Sequence, residues 1–108
     1  MNIGRRRFHD LVQRQLDLFA TDEAELFAEG QEADAAWTKA DRDETEERYG
    51  DFQLVVDAIG ERLYDVREAY ASALAEDAAD AYRAAFTAAA LKRFRRFASF
   101  LEKDEQWP

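Results

Sequence analysis

YGDFQLVVDAIGERLYDVREAYASAL, residues 49–74, is the stretch whose reading decides the fold. Within it Phe52, Val56, Ile59, Leu63, Val66, Tyr70 and Leu74 recur at steps of three and four, which draws one apolar stripe down an α-helix. The stripe gives the address of a packing partner. It carries no nucleophile, no general base and no set of metal ligands.

Downstream, Ala79, Tyr82, Phe86, Ala90, Phe94, Phe97 and Leu101 repeat the same spacing. Folding the chain about a tight turn near Glu76 sets Leu74 against Ala79, Tyr70 against Tyr82, Val66 against Phe86 and Leu63 against Ala90. The same register then sets Ile59 against Phe94, Val56 against Phe97 and Phe52 against Leu101. The spacing predicts an antiparallel αα-hairpin with arms of about 44–75 and 78–102. Asp41 or Asp43 is the expected cap of the first arm, and Asp77 of the second.

Upstream, Phe8, Leu11, Val12, Leu16 and Phe19 give a helix from about 4 to 20, and Leu26, Ala33, Trp37 and Ala40 continue its stripe in phase. Residues 4–40 therefore read either as one bent helix or as two helices broken near Thr21, with Thr21 or Asp22 as a cap. Gly30 is expected to mark the close approach of a neighbouring helix, and Gly50 and Gly60 to weaken the central one. The sole proline is Pro108, and the β-branched residues show no alternation. The fold class that follows is all-α: an antiparallel up-and-down helical bundle of three to four helices. Residues 1–108 make one domain, of which 104–108 are expected to fray.

A chain of 108 residues without cysteine has neither a disulfide framework nor thiol chemistry, and a reducing compartment suits it. No run approaches the roughly 20 apolar residues of a membrane span. Arg5-Arg6-Arg7-Phe8 resembles the core of a twin-arginine export signal, but Asp10, Gln13, Arg14, Gln15 and Asp17 stand where its apolar segment belongs. A cytoplasmic location without membrane association is the expectation.

The net charge of −9 is unevenly spread. Residues 21–47 hold eleven acids against two cations, whereas residues 1–20 hold four cations against two acids and 77–108 six against five. Glu25, Glu29 and Glu32 share a helix face, and like charges at such spacings repel unless cations lie opposite. Arg5 to Arg7 and the cluster Lys92, Arg93, Arg95, Arg96 are the expected cations. Direct nucleic-acid binding is disfavoured by the overall charge, although Lys92-Arg93-Phe94-Arg95-Arg96-Phe97 interleaves cations with aromatics.

Catalytic and metal motifs fail on spacing. His9 is the only histidine and has no Glu-x-x-His context, so neither a di-iron carboxylate site nor a hydrolase triad is assembled. Asp41-x-Asp43-x-Thr45 begins like an EF-hand loop, but Glu46 replaces its turn glycine and Phe52 its bidentate glutamate. The four glycines stand apart, which excludes a glycine-rich phosphate loop. No catalytic, cofactor or metal residue is assigned.

Trp37, Tyr64 and Phe100 lie off or at the edge of the stripes and are the candidate interface residues, with homodimerisation as the leading use of such a patch. Glu25, Glu29 and Glu32 are the candidate acidic partner face. The sequence thus suggests a non-enzymatic protein acting through protein–protein association. One alternative is an acidic decoy that binds a nucleic-acid-binding protein through residues 22–47, and another is a carboxylate-based metal-binding protein. An acidic helical hairpin of this size is similar to the small helical-hairpin proteins exported by type VII secretion. Their Trp-x-Gly turn is absent, because Trp37 is followed by Thr38 and Lys39 and the turn at Ala75–Asp77 has neither residue. No family is assigned on this basis.

Overall fold

The structure, a computed structural model, describes the backbone of residues 3–105 and the side chains of 7–102. Five α-helices follow one another: α1 (Ile3–Asp22), α2 (Ala24–Lys39), α3 (Thr45–Ala71), α4 (Glu76–Phe94) and α5 (Ser99–Glu105). A 3₁₀ segment, Arg95–Ala98, separates the last two. The bundle measures 50 × 31 × 24 Å.

Helices α1 and α2 form one bent rod. At the junction the Glu23 N–H donates to the Phe19 carbonyl at 2.9 Å and the Phe27 N–H to the Glu23 carbonyl at 3.0 Å, so the helical ladder is not interrupted. The bend is local to Glu23, at φ −107° and ψ 25°. Both readings of residues 4–40 thus hold in part: two helix axes, one hydrogen-bonded rod.

This rod runs antiparallel to α3. Arg62 pairs with Glu23, Val55 faces Gly30, and Phe52 stacks on Trp37 with ring centroids 5.5 Å apart. Helix α4 returns beside α1 in the same direction, with Phe8 edge-on to Tyr82 at 5.5 Å and Phe19 against Phe94 at 6.0 Å. The hairpin of α3 and α4 is present, and Tyr70 meets Tyr82 at 4.7 Å as the stripes predict. Val12, Leu16, Ile59, Leu63, Tyr82, Phe86, Ala90 and Leu101 are almost fully buried between the rods. At roughly 1.5–3 kcal/mol for each large side chain, this burial is what offsets the ordering of the helices.

Three expectations are corrected. The expected caps do not form: α3 starts after Glu44 and α4 after Ala75, neither with a side-chain cap hydrogen bond. Instead the Thr45 hydroxyl donates to the Asp41 carbonyl at 2.8 Å, and the first turn of α4 relies on Glu76 and Asp77 beside its positive end. The first arm ends at Ala71, not near 75. The second arm is not a single helix to 102, because α4 stops at Phe94 and Arg95 adopts φ 54°, ψ −126°.

The break turns the chain back along α3. Phe97 packs against Phe52 at 5.9 Å and under Gly30, whereas Phe100, three residues later, lies over Gly60 and 6.3 Å from Tyr64. Going along α4 the neighbouring position on α3 falls; going from Phe97 to Phe100 it rises. The straight register that paired Phe52 with Leu101 is therefore not followed beyond Phe94. On an unbroken helix Phe100 would sit off the Phe94–Phe97–Leu101 stripe; the break lets Phe97 and Phe100 enter separate notches while Ala98 and Leu101 are fully buried. The expected fraying of 104–108 and the pairing of Arg5 and Arg6 fall outside the residues whose side chains are described.

Candidate functional site

The candidate interface trio is divided. Tyr64 and Phe100 come together and are half-buried in the notch at Gly60, while Trp37 packs with Tyr49 and Phe52 at the other end of α3. Twelve residues of helix, about 18 Å, separate Phe52 from Tyr64. No shared aromatic patch results.

Glu25, Glu29 and Glu32 are exposed on α2. Among the described residues they form no hydrogen bond or ion pair with the cation cluster, of which Arg93 and Arg96 are engaged elsewhere. Arg93 pairs with Asp17 at 2.5 Å, Arg96 pairs with Asp34, and Lys92 lines a small groove of about 200 Å³ with His9, Val12 and Gln13. The pairing expected between this cluster and Glu25, Glu29 and Glu32 is not made; Arg93 and Arg96 reach Asp17 and Asp34 instead.

A polar cluster inside the hairpin went unread in the sequence. Arg67, 2% exposed, donates from Nη1 to the Thr87 hydroxyl at 2.8 Å and from Nε to Glu68 at 2.9 Å. Glu68 also accepts from Arg83 Nε and Nη2 at 3.0 Å. Partial burial works to raise the Glu68 pKa, but the hydrogen bonds from Arg83 and Arg67 outweigh it and hold the carboxyl below its ordinary 4.5. The hydrogen bonds from Arg83 to Glu68 in turn push the guanidinium up. Nearby, the Tyr82 hydroxyl donates to Gln15 at 2.7 Å, and burial pushes the phenol up to about 12. Groups shifted in these directions hold their protonation state near neutral pH, so the cluster fixes the register of α1, α3 and α4 without offering a general acid or base.

One opening with an apolar lining lies between α2 and α3. A groove of about 440 Å³ has Ala33, Ala36, Leu54 and Val55 as its apolar lining and Glu29, Glu32, Arg48 and Asp51 as its polar lining. Leu54 is 71% exposed, the most exposed large hydrophobic side chain among the described residues. One turn before it lies Gly50, at which an added Cβ would meet nothing within 4 Å, and one turn after it lies Ala58. The signal was available in the sequence: Leu54 sits two residues from the Phe52–Val56 stripe, on the opposite side of α3. Two of the acids predicted for a partner face, Glu29 and Glu32, border this groove, and Glu25 lies further along α2 beside Arg62.

Among the described residues no group of three His, Cys, Asp or Glu side chains is placed to hold a metal ion, and no helix is long and apolar enough to cross a membrane. The chain matches no protein-family model, no curated protein and no solved structure.

Proposed function

We propose that this chain is a non-enzymatic protein–protein association module whose contact face is the groove between α2 and α3. The observation that carries the reading is Leu54, a leucine 71% exposed beside Val55, Ala33 and Ala36 and bordered by Glu29 and Glu32. A large apolar side chain raised from an otherwise charged helix face is the composition of an interface centre with a polar rim. A cytoplasmic setting goes with this reading, since the chain has no cysteine to require an oxidising compartment.

The partner is either a second copy, as in a homodimer, or another protein. The half-buried state of Tyr64 and Phe100 removes the aromatic argument for dimerisation and leaves Leu54 as the point on which it would turn. The acidic-decoy reading, in which a nucleic-acid-binding protein is captured, is favoured by the unpaired Glu29 and Glu32 at the groove's edge. No observation favours a metal-binding role.

The test compares the wild-type chain with Leu54→Asp. Sedimentation velocity and capture from native-cell extract are expected to show one associated protein, a second copy included, that is lost in the variant. Identical capture profiles and a monomeric mass for both chains would refute the reading.

A further inference from the structure

We propose that the Gly50–Leu54–Ala58 strip of α3 seats a cationic amphipathic helix of a partner protein, its apolar face on Leu54 and its lysines or arginines against Glu29, Glu32, Glu47 and Glu61. This rests on the association reading above and names the chemistry of the partner.

The first support is a glycine that the fold does not use. Gly30 and Gly60 are each filled by a neighbour: a Cβ at Gly30 would come within 2.8 Å of the Phe97 ring, and one at Gly60 within 2.2 Å of the Phe100 Cβ. Gly50 is also inside a helix, where glycine costs about 1 kcal/mol relative to alanine, yet nothing lies within 4 Å of its Cβ position. Within the chain its missing side chain makes room for nothing. One turn from an exposed leucine, that missing side chain lets an incoming helix approach closely, as Gly60 does for the root of the Phe100 side chain.

The second support is charge. Glu47 and Glu61 stand two turns before and after Leu54 on the same face of α3, and Glu29 and Glu32 border the groove from α2. All four are exposed and form no ion pair among the described residues. The cations beside them are engaged, Arg48 with Asp51 at 3.7 Å and Arg62 with Glu23. Such a face laid against its own copy brings both sets of unpaired acids together around Leu54, with the like-charge cost that suppresses wrong pairings. A basic helix removes that repulsion and gains pairs. From Glu47 to Glu61 the strip spans about 21 Å, the length of roughly four turns of a docked helix.

The probe is a synthetic peptide of about 18 residues with leucines on one helical face and lysines on the other, titrated into the full chain by fluorescence anisotropy at low salt, with amide shifts recorded by NMR. Saturable binding is expected, with shifts centred on Gly50, Leu54, Val55 and Ala33. Added salt should weaken it, and Leu54→Asp, Glu29→Gln/Glu32→Gln and Gly50→Gln should each weaken it about tenfold. Gly50→Gln is the decisive variant, because its side chain enters open space and leaves the thermal melt unchanged or higher.

Equal affinity for a peptide with glutamates in place of the lysines would overturn the proposal. So would equal affinity for a scrambled peptide of the same composition, or undiminished binding by Gly50→Gln. If the leucine–lysine peptide fails to bind while Leu54→Asp still abolishes self-association or partner capture, the cationic helix is refuted and the association reading stands. If that variant also changes neither, both fall.

Discussion

Phe100 lies directly over Gly60, so close that a side-chain carbon on the glycine would stand 2.2 Å from the Phe100 Cβ. The obstruction is the root of a side chain, which cannot swing aside as a ring tip can. Gly60→Ala is therefore expected to destabilise the fold by about 1–3 kcal/mol despite the better helix propensity of alanine. Gly50→Ala, in open space, should stabilise it by roughly 0.5–1 kcal/mol. Denaturant midpoints of the two variants moving in the same direction would contradict the assigned notch.

Arg95 has φ 54° and ψ −126°, a region that glycine occupies readily and an L-residue only under strain. Replacing Arg95 with glycine should raise stability by about 1 kcal/mol, because the break between α4 and α5 then forms without that strain. A lower melting temperature for Arg95→Gly would show that α4 continues past Phe94.

Burial raises the Tyr82 phenol to about 12 from its ordinary 10, so folding favours the neutral form. The stability this contributes, roughly 2–3 kcal/mol, is fully present below pH 10 and is lost as pH rises from 10 through the folded value. Tyr82→Phe should cost about 1 kcal/mol at neutral pH through the lost bond to Gln15, and its stability should fall less between pH 10 and 12 than that of the wild type. Parallel alkaline unfolding curves would refute the assignment.

Glu68 shifts the other way. Its folded pKa lies below the ordinary 4.5, so its contribution is present above pH 4.5 and is lost as the pH falls through the lowered value. Glu68→Gln should be less stable than the wild type at neutral pH, and the difference should narrow on acidification. Thr87→Val removes the hydroxyl that accepts from Arg67 and should cost about 1.5–3 kcal/mol at any of these pH values, measured by urea unfolding.

What could be read from the sequence follows from the range over which each feature is determined. The α3 stripe is local, so its period was sufficient to give the helix, the hairpin turn before Glu76 and the pairing of Tyr70 with Tyr82. The connection at 41–44 was equally legible from its acidic residues, although its hydrogen bonds come from the backbone and Thr45 instead of an aspartate cap. The break at Arg95 was not legible, since neither glycine nor proline stands there and the apolar spacing runs on through it. It is decided by Gly30 and Gly60, distant in sequence, which offer Phe97 and Phe100 two separate notches. The burial of Arg67 was hidden for a related reason: one residue from Val66 on the stripe, it is held inward by Thr87 across the hairpin and by its neighbour Glu68, which Arg83 ties to α4. Of the candidate site, the charge of Glu29 and Glu32 is legible in the sequence, whereas Leu54 is a single apolar residue outside the main stripe and has no periodic pattern of its own to mark it.

The turning back at Arg95 also bears on the order in which the molecule can be made. A ribosome delivers Gly30 and Gly60 long before it delivers Phe97 and Phe100, so a nascent chain carries two open sockets along its first helices while the residues that plug them are still being synthesised. Contacts between such distant parts form late. Closure of this bundle accordingly waits for Phe97 and Phe100, and until they are in place the unfilled sockets and the bare stripe of α3 are surfaces for whatever escorts the chain.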